Sequence, residues 1–485
     1  MIMKDKLYFL LLLILPILVE AQMPFNNCLK GENASMMKTI VDIGQTRKGG
    51  IKRSSFPDEL QKRFELILDE EYSKSGAAGL SCAVLLGDEL WTGVAGLSSV
   101  TDSMNSEMVL GVGSLSKSIA AATVLKLEEE GRLSINDSIG KWLSKREYVD
   151  GKITIEQLLN HTSGIYNVTD NPRFGQMINS DYERVWSPDE VLDTFLLAPY
   201  FTPGNGWHYS NSNYIIIGLI VEKVTGKKFH EVVREKLLHP YGLDSMYLKP
   251  FESNDMEIAH FWGDPLGGTN SVDLTGFGID FKALFSGAWA AGAYMARTKD
   301  IAKWMKLLAS GKILKKGSQD ELLKGVSRGN NAYYGLGVVY VVNAEGDIVA
   351  IGHDGNIGYT AKVYHLVNED MTFAIQCNDM TVNQNTLNNV FVKFISAYQA
   401  YINSVRFPVE QDSILIYPNP SSDKVSFDFS HKVNGNIEIY NDLGARVQSV
   451  FIDSNGKADL GVSLFPKGIY FVKSGHQIVG KFVVN

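Results

Sequence analysis

Residues 111–117 read Gly-Val-Gly-Ser-Leu-Ser-Lys, and the following stretch is apolar at Ile119, Ala122, Leu125 and Leu127 before it meets Gly131. That spacing predicts a helix from Ser114 to Glu130 with a glycine exit. Ser114 and Lys117 stand at i and i+3, so they share a face and an ammonium lies beside a hydroxyl. A helix that opens here also places backbone N–H groups and positive partial charge near that hydroxyl. Burial would disfavour Lys117 as a cation and make its amine a plausible proton acceptor. The Ser-x-x-Lys pattern alone decides little. It begins at Ser35, Ser114, Ser138, Ser421 and Ser454, and a serine before a helix serves equally well as a simple N-cap. Only the copy at Ser114 joins a glycine-rich approach to a strongly apolar helix.

Outward from this helix the pattern changes on both sides. Before it, a helical pattern from Pro57 (Leu60, Phe64, Leu66, Ile67) leads into GLSCAVLLGDELWTGVAG, two apolar runs joined at Gly87-Asp88, which reads as a hairpin. After it, the middle third is helical and loop-like, with Thr154-x-x-Gln157 and Ser187-Pro188-x-Glu190 as capping boxes. Strands return at 333–342, 347–352, 360–367 and 371–377, followed by a helix at about 384–403. Strands at both ends with helices inserted between them predict an α+β domain over residues 56–405. Its antiparallel sheet would be flanked by helices and closed by the two chain ends. Past a linker at 406–411, residues 412–485 carry short alternating strands and turn signals with no helical period, which predicts a small C-terminal β-sandwich.

Composition removes several function classes. The chain has 485 residues, 45% hydrophobic and 21% charged, the proportions of a folded protein. Its charge balance, 46 − 54 = −8, comes with no long basic run, so nucleic acid is not expected as a partner. Three cysteines make no disulfide framework, and Cys82 and Cys377 lie in apolar strands as packing residues. No metal and no cofactor is implied: Phe229-His230-Glu231 continues to Arg234, where a zinc-binding helix needs a second histidine. Residues 1–21 combine Lys4 and Lys6, an apolar run from Leu7 to Val19 and a small-residue end, an export signal that predicts a secreted or cell-surface protein. No other stretch nears the roughly 20 apolar residues of a spanning helix, so no transmembrane span is expected after signal cleavage. Residues 22–55 read as a loosely held lead-in.

Two further constellations accompany Ser114. Tyr209-Ser210-Asn211 lies in PGNGWHYSNSNYIIIGLIVEKVTG, where a polar loop precedes a buried helix. His353-Asp354-Gly355 sits at the end of an apolar run among glycines that would let a substrate backbone approach. His161 and His208 stand beside motif blocks, where a structural histidine is the commoner outcome. Gly325-Val326-Ser327-Arg328-Gly329 fits a nucleophile elbow but lacks the strand and helix that such a serine needs on either side. Glu156, with Leu159-Asn160, reads as the first turn of a capped helix.

GVGSLSK, LLNHTSGI, PGNGWHYSNSNY, AGAYMARTKDIAKWM, YYGLGV and GHDGNIGY, in that order over about 350 residues, resemble the serine β-lactamase and penicillin-binding-protein superfamily, in its class C β-lactamase, DD-peptidase and esterase branch. The resemblance implies a serine hydrolase that forms an acyl-enzyme on Ser114, helped by Lys117 and Tyr209, with the base unassigned between those two. It implies that Asn211 holds the substrate amide, that His353 and Gly355 line an edge strand, and that the backbone N–H groups of Ser114 and Asn356 form the oxyanion hole. The substrates would be small molecules or short peptides: D-amino-acid peptides, small esters or β-lactams. His353 stands where many dedicated β-lactamases carry a lysine, and a histidine is mostly neutral at pH 7, which favours peptidase or esterase chemistry. The competing expectation is a sensor that binds or acylates without turnover. YPNPSSDKV, IEIYNDLGARV, LFPKGIYFVK and KFVVN resemble the type IX secretion sorting domains of Bacteroidota. That implies the secretion machinery as a partner and a route through the periplasm; an adhesive or carbohydrate-binding sandwich is the alternative.

Overall fold

Helix α1 (Asp58–Ser75) leads into strand β1 (Gly79–Leu86), and the Gly87-Asp88 turn returns the chain as β2 (Glu89–Gly96), in register from Leu86↔Glu89 to Gly79↔Gly96. The computed structural model describes residues 36, 38–41, 56–265, 268–382, 384–406, 414–429, 435–441, 445–474 and 477–485. The expected export signal lies outside these residues, as does the expected linker beyond Arg406. Within the lead-in, the described residues are helical, and Met36 and Ile40, one turn apart on the same face, are both buried.

After β2 the chain leaves the sheet for its helical insertion. A 3-10 turn at Gly113–Leu115 runs into α2 (Ser116–Glu129), whose buried residues include every position from Ser116 to Leu125; it is a core helix without a solvent stripe. Both capping boxes form, Thr154 with Gln157 before α3 (Ile155–Leu159) and Ser187 with Glu190 before α4 (Pro188–Phe195). α5 (Asn211–Thr225) is buried along most of its length and stops at Gly226, φ +72. α6 (Thr298–Ala309) and a short helix at Lys316–Leu322 end the insertion.

The chain then rebuilds the sheet with β3 (Val326–Gly329), β4 (Ala332–Tyr334), β5 (Val339–Val342), β6 (Ile348–Ile357), β7 (Tyr359–Leu366) and β8 (Met371–Cys377). The order β2-β1-β8-β7-β6-β5-β4-β3 is antiparallel throughout. β1 lies against β8, Leu80↔Cys377 to Leu86↔Met371, so strands from opposite ends of the domain are neighbours, as the helix-between-strands order predicts. α6 covers one face: the Thr298 hydroxyl reaches Ser81 Oγ at 2.7 Å and Gln376 Oε1 at 2.9 Å. Phe391 of α7 (Gln384–Arg406) packs on Tyr364 and Phe373 from the other face.

Two strand expectations are corrected. The segment 333–342 is two strands, because Gly335 and Gly337 turn between them; a Cβ on Gly337 would fall 2.6 Å from the Lys117 carbonyl oxygen. β6 does not stop at 352 but runs on through His353-Asp354-Gly355 to Ile357. Glycines that in sequence offer room for a substrate backbone are strand residues that pack closely on the chain itself.

The described chain divides into two compact units, one of Glu65–Phe391 with the described residues up to Phe56, and one of Pro57–Phe64 with Val392–Asn485. In the second, β9 (Ile414–Tyr417), β10 (Lys424–Phe429) and β13 (Lys457–Gly461) form one sheet. The other is β12-β11-β14-β15, from β11 (Gly435–Asn441), β12 (Arg446–Ile452), β14 (Gly468–Ser474) and β15 (Gln477–Val484). Val425 and Phe427 of the first sheet share one buried cluster with Ile437, Ile439, Val472 and Phe482 of the second, which makes the expected small sandwich.

Candidate active site

Ser114 is 3% exposed on the 3-10 turn before α2, and its hydroxyl makes no capping bond to the helix. The turn exists because Gly113 adopts φ +55, and a Cβ there would sit 2.4 Å from the Asn356 backbone nitrogen. The opposing strand is equally close: a Cβ on Gly355 would fall 1.9 Å from the Val112 carbonyl oxygen and 3.1 Å from the Ser114 nitrogen. Two backbones are thus pressed together, with glycine on each side of the contact. The missing side chain of Gly355 admits the chain's own Val112–Ser114 segment.

Lys117, one turn along and fully buried, donates from Nζ to Ser114 Oγ at 3.0 Å, to Asn211 Oδ1 at 2.7 Å and to the Ala291 carbonyl at 2.7 Å. The Tyr209 ring lies beside it, with its centroid 4.9 Å from Nζ. Two of the three sequence motifs therefore converge, since Ser114, Tyr209 and Asn211 meet at the Lys117 amine. Asn211, the first residue of α5, has both ends of its amide engaged within the protein, because Nδ2 donates to Thr169 Oγ1 at 3.1 Å. Its observed contacts orient Lys117 rather than point outward.

Tyr209 is held by a histidine whose role composition left open. His161 is fully buried with φ +64, and its ring lies 4.4 Å from that of Tyr209. Its Nδ1 accepts from the Ser210 N–H and from Asn213 Nδ2, both at 3.2 Å, which leaves the ring proton on Nε2. Burial first, then the charge on Lys117, holds its pKa well below the ordinary histidine value. His208 instead stacks on Tyr200 and donates from Nδ1 to the Tyr209 carbonyl.

His353 lies on β6 where the pairing with β5 ends at Val339↔Gly352, so on that side residues 353–357 run beyond the last β5 pair. Its Nδ1 donates to the Asp354 carbonyl, which can only accept, and so Nε2 accepts from the Tyr334 hydroxyl at 3.1 Å. Burial, then the Lys117 charge, lowers its pKa to about 4, so the ring is neutral at pH 7. Asp354 points to the opposite face of the strand and pairs with Lys362 at 2.7 Å, both buried. Sequence reasoning missed Tyr334, Thr169, the Ala291 carbonyl and this ion pair. The YYGLGV, AGAYMARTKDIAKWM and GHDGNIGY blocks contain Tyr334, Ala291 and Asp354, but nothing in those blocks marked their roles. Ser327, the elbow serine, is exposed on a strand followed by another strand, so that motif has no nucleophile's context.

Comparison with known proteins follows this geometry. A family model described as Beta-lactamase matches residues 61–393, and one described as Secretion system C-terminal sorting domain matches residues 415–485. Penicillin-binding protein 4* of Bacillus subtilis (strain 168) is 24% identical over 334 residues, covering 66% of this chain and 71% of that protein. Unguisins hydrolase ungD' of Aspergillus campestris is 27% identical over 269 residues, and this chain spans about half its length, 47%. Among solved structures, a D-stereospecific amidohydrolase from Streptomyces sp. is 27% identical with a TM-score of 0.59, covering 69% of this chain and 99% of that one. The D-amino acid amidase from Ochrobactrum anthropi SV3 is 21% identical with a TM-score of 0.61 over 71% and 100% of the two chains, a likeness of fold. The sorting domain marks type IX secretion and hence a secreted or cell-surface protein. With the first family model covering most of its length, on a fold that brings its serine and lysine into contact, the chain belongs to the Beta-lactamase family of serine hydrolases.

Proposed function

We propose that this protein is an exported serine hydrolase that forms an acyl-enzyme on Ser114 and acts on D-amino-acid peptides or amides, small esters or β-lactams. The hydrolase domain would span residues 56–405, with residues 412–485 serving secretion. The observation that carries this reading is the 3.0 Å contact between Lys117 Nζ and Ser114 Oγ, with the Tyr209 ring beside it. When the amine is neutral, it takes the Ser114 proton with Tyr209 as its coupled partner, and Oγ attacks the substrate carbonyl carbon. The carbonyl oxygen becomes an oxyanion, which the N–H groups of Ser114 and Asn356 stabilise at about 3 to 4 kcal/mol per donor. Collapse breaks the bond to the amine or alcohol, which leaves with a proton returned from the same pair. Water then attacks the ester and releases the acid.

His353 and Gly355 would border the bound substrate along the open part of β6. Neutral amide and ester substrates suit a site whose histidine carries no charge, and the D-amidase and D-amidohydrolase likenesses support D-configured substrates. Incubation with a fluorescent penicillin or an activated ester, followed by peptide mapping, tests the nucleophile; label that persists in Ser114→Ala removes it. Steady turnover of a D-Ala-D-Ala peptide, a nitrophenyl ester or a cephalosporin ranks the substrates, whereas a stoichiometric burst alone would give the sensor reading.

A further inference from the structure

The turn that brings a carbonyl to Lys117 begins at a residue whose side chain resists the backbone it adopts. A short helix, Lys282–Ala288, ends at Trp289, which stands at φ +40 and ψ −124. A bulky side chain at positive φ is an outlier that persists only where its surroundings over-determine it. Two features do so here. The Trp289 carbonyl accepts from the N–H groups of Gly292 and Ala293, at 3.1 and 2.9 Å, which closes the buried 3-10 turn Trp289–Ala291. The indole is seated on α5: a Cβ on Gly218 would fall 2.5 Å from Trp289 Cζ3, and the Phe229 ring lies 5.5 Å from the indole.

Gly218 stands seven residues after Asn211, two turns along the same face of α5. One helix thus sets both carbonyl oxygens that Lys117 Nζ reaches at 2.7 Å, Asn211 Oδ1 directly and that of Ala291 through the indole. Their number matters to the proton transfer. An ammonium has three N–H donors, and Ser114 Oγ, Asn211 Oδ1 and the Ala291 carbonyl take one each. A neutral amine has two N–H donors and one lone pair. Carbonyl oxygens can only accept, so the two N–H groups stay on them and the lone pair is left facing Ser114 Oγ, where it takes the hydroxyl proton. With the Ala291 carbonyl displaced, one N–H loses its acceptor and the lone pair is free to turn away from the serine.

We propose that Trp289 is a positioning residue for acylation: its ring, seated on Gly218, holds the strained turn that keeps the Ala291 carbonyl on the Lys117 amine and the lone pair of that amine on Ser114. The proposal rests on the acyl-enzyme reading, but its test does not need turnover. A fluorophosphonate probe bonds irreversibly to an activated serine: the Oγ–P bond forms, the P–F bond breaks, fluoride leaves and the serine proton passes to the amine. Probe mass on the Ser114 peptide of the full-length protein, followed in time, gives a maximal labelling rate and a half-saturating probe concentration. Trp289→Gly, which suits the backbone but lacks the ring, and Gly218→Ala, which crowds the ring, are each expected to slow the maximal rate about 10- to 100-fold with the half-saturating concentration within about twofold of the parent. Trp289→Phe, which keeps a ring over Gly218, is expected within about threefold of the parent rate. Chains that fail to fold lower the fraction labelled and not the rate. A maximal rate in Trp289→Gly within about twofold of the parent, a Trp289→Phe as slow as Trp289→Gly, or a loss carried by the half-saturating concentration overturns the proposal. If Ser114 of the parent takes no probe, the acyl-enzyme reading falls and this proposal with it; a labelled Ser114 whose rate the variants leave unchanged removes only this assignment.

Discussion

Replacing Lys362 with methionine isolates the physics of the strand that borders the nucleophile. Asp354 and Lys362 are direct cross-strand partners on β6 and β7, joined at 2.7 Å with side chains 4% and 1% exposed. Asp354 stands between His353 and Gly355, so its tie to β7 anchors the strand from the face opposite Ser114. Removing the ammonium leaves a carboxylate buried without its counter-charge, which costs about 3–5 kcal/mol, whereas removing both charges is close to neutral. Lys362→Met is therefore expected to lose about 3–5 kcal/mol and Asp354→Asn/Lys362→Met to recover most of it. Urea unfolding followed by tryptophan fluorescence is the suitable assay: all seven tryptophans lie between Trp91 and Trp304, so the signal reports the hydrolase unit alone. A single variant within about 1 kcal/mol of the parent, or a double variant no better than the single, would refute the reasoning.

Gly355→Ala should lower kcat on a nitrophenyl ester by about 100-fold or more, since its Cβ would fall 1.9 Å from the Val112 carbonyl oxygen and push β6 away from Ser114; turnover near the parent rate would show that the strand can yield. Lys117→Met should slow both ester turnover and Ser114 labelling by about 10²–10⁴-fold, the range for a positioned proton acceptor. Burial lowers His353 and His365 to about 4, below the unfolded value near 6.5, so the unfolded chain takes up protons first. Stability present above pH 6.5 is then lost as pH falls toward 4, by up to about 3 kcal/mol for each histidine; a urea midpoint that is flat between pH 7 and pH 5 contradicts this.

The parts of this fold that were legible in sequence are those with local signatures. The Gly87-Asp88 hairpin, both capping boxes and the glycine exit of α2 each declare themselves within a few residues. The pairing of β1 with β8 followed from the order of strands and helices. The Ser114–Lys117 pairing follows from i,i+3 spacing on a helix, whereas the approach of Tyr209 to them was implied by the family resemblance alone. What escaped was set by tertiary placement. A carbonyl such as that of Ala291 has no sequence signal, Tyr334 is one of 21 tyrosines, and Asp354-Lys362 is a cross-strand pair whose register cannot be read before the sheet is known. The glycines around His353 read in sequence as room for a substrate backbone, and Gly355 lets a strand pass against the serine's own turn.

The amine of Lys117 touches chain segments at 114, 211 and 291. Its reactive arrangement therefore does not exist until regions nearly two hundred residues apart have come together, and the sheet that supports them is completed only when β8, synthesised late, finds β1. Such distant closure is intrinsically slow. Until those segments meet, Ser114 is no more reactive than any other serine, so the arrangement around it belongs to the folded chain alone.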